Sequence, residues 1–158
     1  RPQLKINVKL GTREHRLLKK TCMWYTEVDV EIALAPKIYL AQELNYSPCR
    51  EAVINHEHKH VNVDRMMMNK YAHQLGEAVK EAVTEIGTFG PFDSADTGEY
   101  EQKFFKHVEA YIAPVIQELN LELRARQQHV DSLEEYEYVS QFCKGKPEKK
   151  TSYSRKKR

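Results

Sequence analysis

Hydrophobic and polar residues alternate strictly from Glu27 to Leu34, placing Val28, Val30, Ile32 and Leu34 on one face of an extended segment and acidic residues on the other. The pattern predicts a half-buried strand. Ala35-Pro36 ends it, and Lys37 to Ala41 reads as a second short strand closing a hairpin, with Lys5 to Leu10 as a further candidate. At Ser47-Pro48 the period becomes helical. Ser suits an N-cap, and Pro suits the first helical position, where its missing N–H is no loss. The helical period runs to about Ile86, with Val53, His60, Asp64, Met67, Tyr71, Leu75, Ala78 and Ala82 along one side. Gly87, Gly90, Pro91 and the stretch from Asp93 to Gly98 read as a loop. A second helical pattern runs from about Glu99 to Phe142, with an apolar stripe of Val108, Ile112, Val115, Leu119, Leu123, Val130 and Leu133 and a kink or split expected at Pro114. The expected fold is α+β: a small N-terminal antiparallel or mixed sheet packed on one long helix and a second long antiparallel helix.

A chain of 158 residues, 41% hydrophobic and 30% charged, can bury one sizeable core, so residues 1–143 read as one domain. No run approaches the roughly 18 apolar residues of a membrane helix. The net charge of +2 hides an asymmetry. Residues 144–158 carry eight Lys or Arg against Glu148 alone, a local +7 that leaves about −5 on the rest. The expectation for this segment is a solvated, disordered tail able to touch an anionic surface; nucleic acid is not the expected partner. The sequence begins at Arg1 without a charged-then-apolar leader, so an upstream segment removed by cleavage is an expectation that permits export. Three cysteines, Cys22, Cys49 and Cys143, form no CxxC pair, which removes the usual cysteine zinc ribbon. One disulfide and a free thiol would fit a secreted protein; three reduced thiols would fit a cytosolic one. Cys22–Cys49 is the slightly favoured bridge, tying strand region to helix start, and Cys49–Cys143 its competitor.

The chemistry-bearing segment is Ile54-Asn55-His56-Glu57-His58-Lys59-His60, which contains HExxH as His56, Glu57 and His60. Four residues apart on a helix, the two imidazoles differ by about 40° in phase and can share one tetrahedral Zn²⁺. Glu57 then lies beside the metal without joining it, placed to act as general base. The bland alternative is a histidine-rich surface turn with an adventitious metal site. His58 falls on the opposite side and reads as solvent-facing.

A catalytic zinc commonly has three protein ligands. If the helices form an antiparallel hairpin with residue 86 opposite residue 99, His56 faces His129, the expected third ligand, with Glu122, Glu134 and Asp131 as alternatives. Asp131 and Glu135 point away from the apolar stripe in a single continuous helix. Tyr136, seven residues beyond His129, is a candidate hydrogen-bond donor to a tetrahedral oxyanion, and Asp64 a candidate outer carboxylate that orients an imidazole.

The stretch Tyr46-Ser47-Pro48-Cys49 through His56-Glu57-His58-Lys59-His60-Val61, together with Gln128-His129-Val130-Asp131-Ser132 on the distal helix, resembles the zincin metalloproteases. In particular it resembles the bacterial family described as predicted secreted zinc-dependent proteases. The resemblance covers roughly residues 25 to 140. It implies a zincin-like fold and a small periplasmic or exported peptidase acting on peptide or protein substrates, with a later helix delivering the third zinc ligand. Competing with it are a non-catalytic metal-containing module whose tail docks on an anionic partner, and a metal-dependent hydrolase of something other than peptides.

Overall fold

Strands β1 (Gln3–His15) and β2 (Lys20–Ala33) pair antiparallel across the turn at residues 16–19, where Lys19 adopts a left-handed φ of 48°. The computed structural model describes residues 3–41, 44 and 47–144. In the first half of β2 the inward positions are Thr21, Met23 and Tyr25; in the second half they are Val28, Val30 and Ile32. Parity changes because Thr26 is an extra residue: Lys9 pairs with Glu27 but Leu10 with Tyr25, a bulge that keeps both halves facing the helices. Gly11 lies opposite Trp24, and a Cβ there would sit 2.6 Å from the indole, so only glycine lets the ring lie flat across β1.

Helix α1 (Ser47–Ile86) is continuous over 40 residues. β3 (Thr88–Asp93) then pairs antiparallel with β2 from Lys20 to Trp24, giving the order β1-β2-β3. A 3-10 turn, Ser94–Asp96, leads into α2 (Thr97–Val130), and α3 (Leu133–Cys143) follows. The architecture is α+β, as the pattern predicts. The core lies between the sheet and the two long helices, with Met23, Leu75, Ala82, Phe104, Val108 and Ile112 nearly or fully buried. Tyr25 closes it by donating from its hydroxyl to the Phe104 carbonyl at 2.8 Å, and burial pushes the phenol's pKa up to about 12. A second cluster, Met67, Met68, Tyr71 and Leu119, fills the helix interface nearer the N-terminal half of α1.

Four expectations are corrected. Lys37 to Ala41 forms no strand, and the alternating Glu27–Ala33 segment instead pairs with β1. Residues 88–93, read as loop from their Gly and Pro, are an edge strand, where the missing N–H of Pro91 is tolerated. The second helix continues through the exposed Pro114 and breaks instead at Asp131-Ser132. There Ser132 caps α3 by accepting from the Glu135 N–H, and Leu133 is left 74% exposed. Finally, the disulfide is Cys49–Cys143, and Cys22 is free. The reason is distance: Cys22 lies where β2 meets β3, which follows the C-terminal end of α1, whereas Cys49 opens a helix about 60 Å long. Tyr46 and the basic segment after Lys144 lie outside the described residues.

Tyr71 and Glu122 show how the interface between α1 and α2 manages polarity. Tyr71 is fully buried, and its hydroxyl donates to Glu122 Oε2 at 2.8 Å. Glu122 also accepts from Lys70 and, through its other oxygen, from Arg126 at 2.8 Å. The hydrogen bond from Lys70, followed by those from Tyr71 and Arg126, holds the Glu122 carboxyl down to about 2. A folded pKa below the unfolded value of 4.5 means stability that is present above that value and is lost as pH falls toward about 2. The stability difference between the wild type and Glu122→Gln in urea melts should therefore be constant above about pH 5.5 and shrink steadily below about pH 4.5.

Candidate metal centre

The last turn of α2, the link to α3 and the third and fourth turns of α1 converge on one spot. His56 Nε2, His60 Nε2 and Asp131 Oδ1 form a nearly equilateral triangle: 3.2 Å between the two nitrogens, 3.4 Å from His56 to Asp131 and 3.1 Å from His60 to Asp131. These three residues could hold a metal ion. His56 is buried, His60 half-buried and Asp131 exposed, so the group opens to solvent on the Asp131 side.

The hydrogen-bond network fixes which atoms face the centre. The Gln127 amide NH₂ donates to Asp64 Oδ1 at 2.7 Å and to the His60 carbonyl at 3.2 Å. Its oxygen must therefore accept from His60 Nδ1–H. His56 Nδ1 faces Glu135 Oε1 at 3.4 Å. With Nδ1 as the donor in both rings, both Nε2 atoms present lone pairs, and a carboxylate oxygen presents a third. Three converging acceptors repel one another unless a cation lies between them, and a single proton relieves only one pair. Tetrahedral ligands at the usual Zn–N and Zn–O lengths lie about 3.3 Å apart, so the observed triangle fits without rearrangement.

Lys59 reaches Glu135 and, with the larger effect, its hydrogen bond holds that carboxyl below the usual range; burial opposes this and His56 adds to it. Tyr136 lies at the mouth of the group, its ring 5.8 Å from that of His56 and its hydroxyl donating to Asp131 Oδ1 at 3.3 Å. The Asp131 charge, then burial, then that hydrogen bond, with a smaller contribution from the Glu57 charge, raise the phenol's pKa and keep its proton on. Glu57 itself is half-buried and makes no hydrogen bond or ion pair among the described residues.

His56 and His60 thus meet as the spacing predicts, Tyr136 stands against them, and the Glu57 charge acts on the Tyr136 phenol. His129 does not join them. It is exposed on α2, and Asp131, one of the alternatives, stands opposite His56 two residues farther along. Glu122 is occupied by Lys70, Tyr71 and Arg126, and Glu134 is exposed. The geometry turns on the end of α2. Asp131 follows the last helical residue in a turn, with φ −81° and ψ 33°, and so escapes the phase that would point it away. Ser132-Leu133-Glu134-Glu135 has the spacing of a capping box, the one signal in the sequence that a new helix starts there. Gln127 and Glu135 carried no signal of their own, since their roles depend on that break. Asp64, expected as an outer carboxylate, acts through Gln127 rather than on an imidazole directly. No protein-family model matches the chain, and no curated protein or solved structure does so either.

Proposed function

We propose that the protein is a zinc-dependent peptidase of the HExxH type, with His56, His60 and Asp131 as ligands and Glu57 as general base. The observation that carries this reading is the convergence of three lone pairs, with the Glu57 carboxylate next in sequence to His56, acting on the Tyr136 phenol and making no hydrogen bond or ion pair among the described residues. Among the described residues no fourth His, Cys, Asp or Glu joins the group, which is the donor count of catalytic rather than closed structural zinc sites. Bound there, Zn²⁺ supplies Lewis acidity that brings the ionisation of water near neutral pH. The Glu57 carboxylate takes the proton from the attacking water and returns it to the leaving amine. Tyr136, its phenol proton retained, donates toward the oxygen that gains charge at the scissile carbonyl. Gln127 and Glu135 hold the two imidazoles in the tautomer that leaves Nε2 free, and Lys59 keeps Glu135 charged for that purpose.

The Cys49–Cys143 bridge supports an oxidising compartment, hence a secreted or periplasmic setting. No helix among the described residues is long and apolar enough to cross a membrane. The test is hydrolysis of an unstructured protein by the zinc-loaded chain. Activity should vanish on chelation and return with added Zn²⁺; activity that persists in excess chelator would reject the reading.

A further inference from the structure

A cleft of about 600 Å³ leads away from Asp131 along α2. Its α2 wall is one face of the helix at three- and four-residue spacing from Ile116 to Asp131, about 22 Å long. At the far end the opposite wall is Leu4 and Ile32, partners across β1 and β2. Leu4, Ile32, Ile116 and Leu123 give the cleft an apolar stretch, Asp64 (engaged by Gln127) and Asp131 line its end at the candidate metal centre, and the exposed Arg124 lies on the α2 wall between them. Arg124 makes no ion pair or hydrogen bond among the described residues, unlike Arg126 two positions on, which Glu122 neutralises. An unpaired guanidinium beside an apolar trough, opening on the candidate metal centre, is complementary to a chain with apolar side chains and a carboxylate.

We infer that this cleft binds the substrate peptide on one side of the scissile bond, seating apolar side chains against Leu123 and Ile116 and a carboxylate on Arg124. The inference rests on the peptidase reading for what lies at Asp131. Arg124 is seven residues from Asp131, about 10 Å along the helix, and an extended peptide advances roughly 3.3 Å per residue. The carboxylate therefore belongs about three residues from the cleaved bond. An Asp or Glu side chain and the peptide's own C-terminus offer the same chemistry there.

Fluorescence polarisation with the zinc-loaded Glu57→Gln chain tests this without turnover. The probes are labelled peptides with apolar residues and, three positions on, Glu within a longer chain, Gln in the same place, a free C-terminus or a C-terminal amide. The Glu or free-terminus probe should bind about 10- to 100-fold more tightly than its neutral counterpart, and Arg124→Gln should erase that preference while leaving the neutral probes unchanged. Arg124→Glu should reverse it in favour of a Lys-bearing probe. Which of the two acidic probes responds identifies the source of the carboxylate. Equal loss for all probes, an unchanged preference in Arg124→Gln, or no binding of any carboxylate probe would overturn the inference. Cleavage by the wild type that is indifferent to Arg124 would leave the peptidase reading standing and remove this one. Arg124-dependent binding without cleavage would do the opposite.

Discussion

Replacing Glu57 with Gln should leave the fold and the zinc content intact and lower hydrolysis of an unstructured protein by about two to four orders of magnitude, the usual cost of a lost acid–base group. The substitution keeps the shape of the side chain and removes only its basicity. Since Glu57 carries no hydrogen bond or ion pair among the described residues, there is no structural bond for the change to break. A structural carboxylate would behave in the opposite way, with stability falling and rate preserved. Melting temperature, zinc content and rate measured on one preparation separate the two. Undiminished hydrolysis in Glu57→Gln would exclude the mechanism, and a wild type inactive on every peptide would favour a non-catalytic metal module.

Removing the bridge with the double substitution Cys49→Ser and Cys143→Ser should weaken both the fold and the candidate metal site. The bridge closes a separation of 94 residues, and disulfides in general contribute about 2–4 kcal/mol. In a domain of this size that is a fall in melting temperature of about 4 to 16 °C. The effect on the site follows from α3, which buries no residue completely and leaves Tyr136 and Tyr138 about half exposed. Besides the bridge, α3 is held to α1 by the Lys59–Glu135 ion pair, the His56–Glu135 contact and two ring contacts, Tyr136 against His56 and Tyr138 beneath Lys59. Glu135 and Tyr136 lie on its first turns and Asp131 on the link before it. Zinc affinity should therefore fall at least 10- to 100-fold, the cost of a lost outer partner, even at temperatures where the long helices stay folded. An unchanged zinc affinity in a destabilised double variant would show that α3 is held by packing alone.

The parts legible in the sequence are those whose pattern is local. The alternation of Val28, Val30 and Ile32 marks the second half of β2, and the run Met67, Tyr71, Leu75, Ala78, Ala82 marks the buried face of α1. The HExxH pair meets because four residues on a helix fix its geometry whatever the rest of the chain does. Thr21, Met23 and Tyr25 alternate just as clearly, but the bulge at Thr26 breaks their phase with Val28, which hides a 14-residue strand behind a shorter one. β3 is masked by Gly90 and Pro91, residues that ordinarily mark turns. The third member of the candidate metal group is hidden because the helical pattern runs on from α2 into α3 without a Gly or Pro to mark the break. In that register His56 faces His129, and only the interruption at Asp131 turns a carboxylate inward. The disulfide depends on the observed register: contacts from α2 into α3 advance along α1 from Tyr71 through His60 and His56, so that Cys143 arrives beside Cys49.

Whether His56, His60 and Asp131 hold a zinc ion can be read from X-ray absorption at the zinc edge on protein purified without added metal. The expected result is one zinc per chain with two imidazole nitrogens and one carboxylate oxygen among its ligands. Asp131→Ala should alter the spectrum and lower affinity, while His129→Ala should change neither. A sub-stoichiometric metal content equal in wild type and His56→Ala, or a third imidazole lost in His129→Ala, would contradict it.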